Sequence, residues 1–199
     1  MSTEHERCWP ATDELYIAYH DDEWGRPVTD ERGLYERLCL EGFQSGLSWL
    51  TILRKRENFR RAFKDFDPDV VARFSERDIK RLLGDAGIVR HRGKIEATIA
   101  NARGLLTLRE RGSPLEQLVW EYRRDGPAPT EWVAETPESR ELSKRLRAAG
   151  FRFVGPTTVY SSMQACGIVN DHRPTCWVRD DVERLRERIP RRPTAPRPA

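Results

Sequence analysis

Cys8 and His20 lie near one end of the sequence, and His172 and Cys176 near the other. The spacing His172-x-x-x-Cys176 lets two side chains meet one ion from a helical turn or a tight loop, and the N-terminal pair could complete a tetrahedral Cys2His2 set. Taken alone, the C-terminal pair reads more simply as a surface histidine and a half-buried thiol. It is the second pair that raises the metal reading. Cys39 and Cys166 fall in predicted helices among apolar neighbours, which marks them as small core residues.

A second candidate is the glycine-bounded turn Gly150-Phe-Arg-Phe-Val-Gly155, between two predicted helices. Such a turn can expose consecutive backbone N–H groups beside a positive helix end and so hold a phosphate; it can equally be a plain helical hairpin packed for stability. Another basic turn, Gly87-Ile-Val-Arg-His-Arg-Gly-Lys94, could hold a further stretch of backbone. Aromatic residues cluster near the N-terminus at Trp9, Tyr16, Tyr19 and Trp24, with Trp49 further on. Tyr16, Tyr19 and His20 stand at i, i+3 and i+4, so one helical turn puts two phenol rings and a ligand-type imidazole on one side. Aromatic residues more often build core than a pocket. Glu41 changes that weighting, because it sits on the apolar stripe of its own helix, directly before Gly-Phe-Gln-Ser-Gly, and a buried carboxylate without a function is uncommon.

Helices must position these groups. Asp30 to Glu41 places Leu34, Leu38 and Glu41 on one stripe, and Leu47 to Phe63 repeats apolar residues at Leu50, Leu53 and Phe59. Asp67-Pro68 reads as an N-cap with proline at the first helical position, and Ser75-Glu-Arg-Asp78 approximates a capping box. Lys94 to Leu108 has the pattern of a long amphipathic helix. Further starts stand at Ser113-Pro114 and Thr136-Pro137. The second of these helices should stop at Gly150, and another should run from Pro156 to about Ala165. Period-two alternation is almost absent, and the six residues around Phe151, Phe153 and Val154 are too few between helix signals to make a sheet. The expected class is all-α, with residues 1–189 as a single domain, a loop at Asp125 to Glu135, and a disordered Pro/Arg-rich tail at 190–199.

Composition agrees and excludes other classes. The 199 residues carry six Trp, five Tyr and seven Phe, too much burial-prone surface for a disordered chain despite 34% charged residues. The longest apolar candidate, Phe151 to Val169, holds Arg152 and several Ser, Thr and Gln, so no membrane span is expected. The start, MSTEHERCWP, lacks the basic and apolar run of a secretory leader, which points to a reducing cytoplasm and free thiols. Of 35 basic residues 30 are arginines, against 32 acids. Arginine suits bidentate phosphate contacts, although a solvated basic face explains the same count.

The segments RCW (7–9), LYIAYHDDEWGRP (15–27), LCLEGFQSGLSWLTILRKRENFRRAF (38–63), FDPDVVA (66–72), DAGIVRHRGKIEA (85–97) and GFRFVGPTTVYSSMQACGIVNDH (150–172), together with Cys176, closely resemble the DNA-3-methyladenine glycosylase I family. The resemblance runs from about Arg7 to Cys176, leaving out the loop around 125–135 and the tail. It implies the helix-hairpin-helix DNA glycosylase fold, with Gly150, Phe151, Phe153, Val154 and Gly155 in the DNA-binding hairpin. It also implies one structural zinc per chain on Cys8, His20, His172 and Cys176, joining the two terminal segments. Trp9, Tyr16, Tyr19 and Trp49 match the family's base pocket, Glu41 its pocket carboxylate, and Leu47 the residue that enters the gap left by a flipped base. One departure stands out: Cys8 and Trp9 are adjacent here, whereas the family usually places a residue between them.

The activity so implied is hydrolysis of the N-glycosidic bond of 3-methyladenine in alkylated double-stranded DNA, releasing the free base and leaving an abasic site, by a chain expected to be a monomer. An ionised Glu41 would accept from the exocyclic amine and favour a cationic base over neutral adenine. Methylation at N3 already makes the purine a good leaving group, so orientation and charge matter more than a strong acid. Lys94 and Lys144 lack any context that marks a Schiff-base lysine. Asp171, beside His172, could face the sugar or serve as a structural cap. Two other readings compete: a non-catalytic zinc-clamped helical DNA-binding module, and a zinc hydrolase of small molecules, which would need an open metal position.

Overall fold

The computed structural model describes residues 6–126 and 132–190, and among these it holds ten α-helices and no strand. The expectation for residues 191–199 lies outside the described residues. Most helices begin where a short polar side chain takes up the free N–H groups of the first turn. Asp13 does so for α1 (Glu14–Asp22), Asp30 for α2 (Glu31–Gln44) and Ser48 for α3 (Trp49–Ala62). Asp67 caps α4 (Pro68–Val71), a Ser75–Asp78 capping box starts α5 (Glu76–Gly84), and the His91 ring accepts from Lys94 N–H at the head of α6 (Arg92–Glu110). Pro114 precedes α7 (Leu115–Trp120), Thr136 and Ser139 cap each other at α8 (Pro137–Ala148), and Pro156 opens α9 (Pro156–Ala165). The last helix is α10 (Arg179–Glu187).

Helix α2 is central, packing against α3, α6, α7 and α9, with α8 lying along α9. Its buried face carries Leu34, Tyr35, Leu38, Cys39, Leu40 and Phe43, which meet Phe59, Ile95, Leu105 and Tyr160 from the neighbours. Truncating one fully buried ring such as Phe59 to alanine should cost about 3–5 kcal/mol.

Two features of the fold have no counterpart in the sequence patterns. The N-terminal segment folds back onto the C-terminal region, with Val28 N–H donating to Cys166 O at 3.0 Å and Trp177 N–H to Glu6 O at 3.2 Å. Gly167 permits the close approach: its φ is +72°, and a Cβ there would sit 2.5 Å from Gly25 O. The second is a 3-10 turn at Lys64–Phe66, where three consecutive non-glycine residues take φ of 55°, 53° and 54°. Arg32 reaches the carbonyls of Lys64 and Asp65, and Phe66 is buried against Tyr35 and Phe63, which holds a conformation that L-residues otherwise avoid. Cys166 is buried as expected, but it stands at the C-cap of α9 and not inside the helix.

Candidate active site and metal centre

Helices α1, α2, α3 and α9 enclose a cavity of about 230 Å³, lined by Trp9, Tyr16, Tyr19, Trp24, Glu41, Gln44, Trp49, Trp132, Ser161 and Gln164. All five residues expected in the base pocket are brought together. Trp49 is the first residue of α3, and its ring lies 5.3 Å from that of Tyr19; Trp9 lies 5.4 Å from Tyr16 and meets Trp24 edge-on at 4.9 Å. The indole N–H groups of Trp9 and Trp49 are buried without a hydrogen-bond partner among the described residues, so the walls carry donors free to meet a ligand.

Glu41 is 6% exposed on the inner face of α2. Burial pushes its carboxyl up to about 8, with Arg37 pulling back only partly, and no hydrogen bond holds the charged form. Arg37 is itself committed to Glu23 at 2.6 Å. At neutral pH burial therefore favours the protonated form of Glu41, and the ionised form that would accept from an amine needs a partner to stabilise it. Taking a carboxyl out of water without a compensating partner costs several kcal/mol, a cost a protein carries where a ligand will supply the partner. Burial also raises the Tyr16 and Tyr19 phenols, with Glu41 adding to it, so both stay protonated donors.

The four Cys and His residues meet beside this cavity. All are buried, and their ligand atoms lie within 4.8 Å of one another. Cys8 Sγ is 3.3 Å from His172 Nδ1, and Cys176 Sγ is 3.4 Å from His172 Nδ1 and 3.5 Å from His20 Nε2. Tetrahedral bonds of about 2.3 Å to sulfur and 2.0–2.1 Å to nitrogen would separate S and N by about 3.5 Å, so the donor set fits a zinc-sized ion. The outer nitrogens are also spoken for: His20 Nδ1 meets Asp21 at 2.8 Å, which Arg7 holds at 2.7 Å, and His172 Nε2 meets Trp24 O at 3.0 Å. Such partners fix which nitrogen faces the ion. The adjacency of Cys8 and Trp9 does no harm, since the thiol enters the cluster while the indole lies against His20 at 4.7 Å and lines the cavity.

Helices α8 and α9 are joined by the turn at 150–155. Gly150, at φ +93°, ends α8 with Phe151 N–H bonded to Leu146 O and Gly150 N–H to Arg147 O. Ser143 holds Val154 O at 2.6 Å and Asn101 of α6 takes Arg152 N–H at 2.7 Å. Phe151 and Val154 are buried, so their side chains anchor the turn and cannot themselves reach a bound backbone. Phe153 is exposed at φ +54°, and the N–H groups of Phe153, Val154 and Gly155 take no part in the backbone bonding of the turn. Gly104 of α6 makes room, because a Cβ there would lie 2.7 Å from Ala149 O and from the Phe151 ring. Leu47 is 43% exposed between α2 and α3.

Sequence reasoning missed Gln44, Trp132, Ser161 and Gln164. Gln44 follows Glu41 at i+3, and Ser161 and Gln164 share that spacing on α9, a polar stripe that was readable; Trp132 lies in the loop that carried no motif. Asp171 is fully engaged within the protein: its carboxylate accepts from Arg124, Tyr160 and Gln164. Lys94 Nζ is likewise committed, to the carbonyls of Phe43 and Ser45.

Among the described residues the protein is all-helical, and six aromatic rings and a carboxyl without a hydrogen-bond partner line a small cavity, a lining suited to a planar ring that presents hydrogen-bond donors. The family model described as methyladenine glycosylase matches residues 9–180, and the chain belongs to that family. It is 52% identical over 178 residues to DNA-3-methyladenine glycosylase 1 of Escherichia coli (strain K12), covering 86% of this chain and 95% of the relative. With the DNA-3-methyladenine glycosylase of Haemophilus influenzae it shares 41% identity, over 85% of this chain and 96% of the other. A crystal structure of a 3-methyladenine DNA glycosylase I superposes with a TM-score of 0.82 at 50% identity, covering 86% and 98% of the two chains. The Staphylococcus aureus enzyme, solved to explain 3-methyladenine recognition, gives 0.80 at 36% identity over 85% and 93%.

Proposed function

We propose that this chain is a DNA-3-methyladenine glycosylase: it hydrolyses the N-glycosidic bond of 3-methyladenine in alkylated double-stranded DNA, releases the base and leaves an abasic site. The observation that carries the reading is Glu41, a buried carboxyl with no hydrogen bond among the described residues, facing an aromatic cavity.

A base inside a duplex cannot reach that cavity, so the nucleotide must be flipped out. Main-chain N–H groups at 153–155 bind the DNA backbone in the manner of a helix-hairpin-helix, and exposed Leu47 fills the gap in the stack. Trp9, Tyr16, Tyr19 and Trp49 hold the flipped ring by its faces and edges. The positive charge of a 3-methylated adenine draws the Glu41 pKa back down, so the carboxyl ionises as the cation arrives and neutral adenine gains nothing comparable. Selection and rate enhancement then share one contact, since the charged base is also the better leaving group. No lysine lines the cavity among the described residues, and Lys94 is engaged elsewhere, which supports a monofunctional hydrolase.

Cys8, His20, His172 and Cys176 would hold a zinc ion whose role is structural, because four protein ligands leave no open position. His20 and His172 pack against Trp9 and Trp24, so the metal centre buttresses the aromatic wall. A non-catalytic DNA-binding module would need the hairpin and the metal set but not a costly unpaired acid. Release of free 3-methyladenine from alkylated duplex separates the two: the enzyme releases it, and the module binds DNA without doing so.

A further inference from the structure

Gln164 is buried on α9 and lines the cavity. Its Nε2 donates to Asp171 Oδ2 at 2.9 Å. Asp171 is at once ion-paired with Arg124 through Oδ1 at 2.7 Å and receives the Tyr160 hydroxyl on Oδ2. A carboxylate so paired only accepts, so the amide of Gln164 must turn its NH2 toward Asp171. A free amide could offer the cavity either a donor or an acceptor. This one is committed to offering its carbonyl oxygen.

The base under consideration has two N–H groups, and both belong to its exocyclic amine. In N9-linked 3-methyladenine, and in the neutral free base, every ring nitrogen is methylated, glycosylated or a lone-pair acceptor. Glu41 can satisfy one of the two amine hydrogens. The other would be buried without a partner unless a second acceptor stands in the wall, and an unmade bond of that kind costs more than a made one gains.

We infer that Gln164 is a second base-reading residue, accepting from the exocyclic amine alongside Glu41, and that Asp171 is the positioning residue that fixes its amide in the accepting sense. This rests on the reading of the cavity as the 3-methyladenine site. It gives the pocket a basis for rejecting 3-methylguanine, whose O6 would set an acceptor against acceptors where adenine sets a donor. Discrimination by an unpaired or opposed polar group is steeper than discrimination by shape.

The test titrates free 3-methyladenine and free 3-methylguanine into the full-length, zinc-loaded protein. Gln164→Met keeps the volume and removes the acceptor. It should weaken 3-methyladenine binding roughly three- to tenfold and leave 3-methylguanine unchanged or improved, so the ratio of the two affinities falls at least about threefold. Asp171→Asn frees the Gln164 amide to turn over and should lower the ratio in the same direction. In the Gln164→Met background it should lower it no further. Equal losses for both bases in Gln164→Met, or an undiminished effect of Asp171→Asn in that background, would overturn the inference. Should Gln164→Met fail to fold, Asp171→Asn alone decides, an unchanged ratio refuting the assignment. A wild-type protein that binds no 3-methyladenine refutes the proposed function, and the inference with it.

Discussion

Glu41→Gln keeps the size of the side chain and removes its ability to ionise, so it should damage the enzyme and strengthen the fold at the same time. The carboxyl has an ordinary value of 4.5 when the chain is unfolded and is pushed up to about 8 in the folded cavity. Between those values the folded state holds a proton that the unfolded state has released. Stability therefore falls as pH rises from 4.5 to 8 and changes little outside that window. Linkage puts the cost of burying Glu41 below about 1 kcal/mol at pH 5, on the order of 3 kcal/mol at pH 7 and near 5 kcal/mol above pH 8. Glutamine carries none of it. For a chain of this length the variant should melt roughly 6–12 °C above the wild type at pH 7, with little difference at pH 5. Base release should fall about ten- to a hundredfold, because a charge-assisted bond to the amine becomes a contact in which an NH2 can face an NH2. Circular-dichroism melts at pH 5, 7 and 8.5, run beside a base-release assay, check both halves. A melting difference that is absent, or that does not grow with pH, refutes the account of the buried carboxyl; full release by the variant refutes its place in the pocket.

Cys176→Ser should lose zinc, measured by atomic absorption, and should lower the melting temperature and 3-methyladenine affinity together, since His20 and His172 support Trp9 and Trp24; full stability without metal would remove the structural role. Gly155→Asp sets a negative charge beside the bound backbone and should weaken binding to duplex DNA of any sequence, while affinity for the free base, followed by tryptophan fluorescence, stays intact. Leu47→Ala removes an exposed side chain, so the melting temperature and free-base binding should hold while excision from duplex slows, a split that single-turnover assays with duplex and free-base titrations resolve.

Much of this was legible because local rules set it. The start of α9 follows from Pro156 at the first helical position, α5 from Ser75 and Asp78, and the end of α8 from Gly150. The aromatic cavity was legible through Glu41, an acid out of place on an apolar stripe. What escaped depends on tertiary contact. The left-handed turn at Lys64–Phe66 contains no glycine and exists because Arg32 and the Tyr35–Phe63 packing hold it. Helix α10 went unread because its inward face is carried by Val182 and by Arg186, an arginine buried through bonds to the carbonyls of Arg124, Gly167 and Ile168. Gln164 reads like any helical glutamine, because the bond to Asp171 that orients it forms only in the fold. Phe151 and Val154 read as members of the hairpin, and only the fold shows that their side chains are buried beneath the turn, leaving its main chain outermost.

The most direct measurement incubates the purified protein with methylated duplex DNA and separates the released bases by chromatography, with abasic sites and strand breaks counted in the same samples. The account predicts free 3-methyladenine, one abasic site for each base released, and no strand cleavage by the protein itself. Tight binding to that DNA with no base released would contradict it and leave a zinc-clamped DNA-binding module in its place.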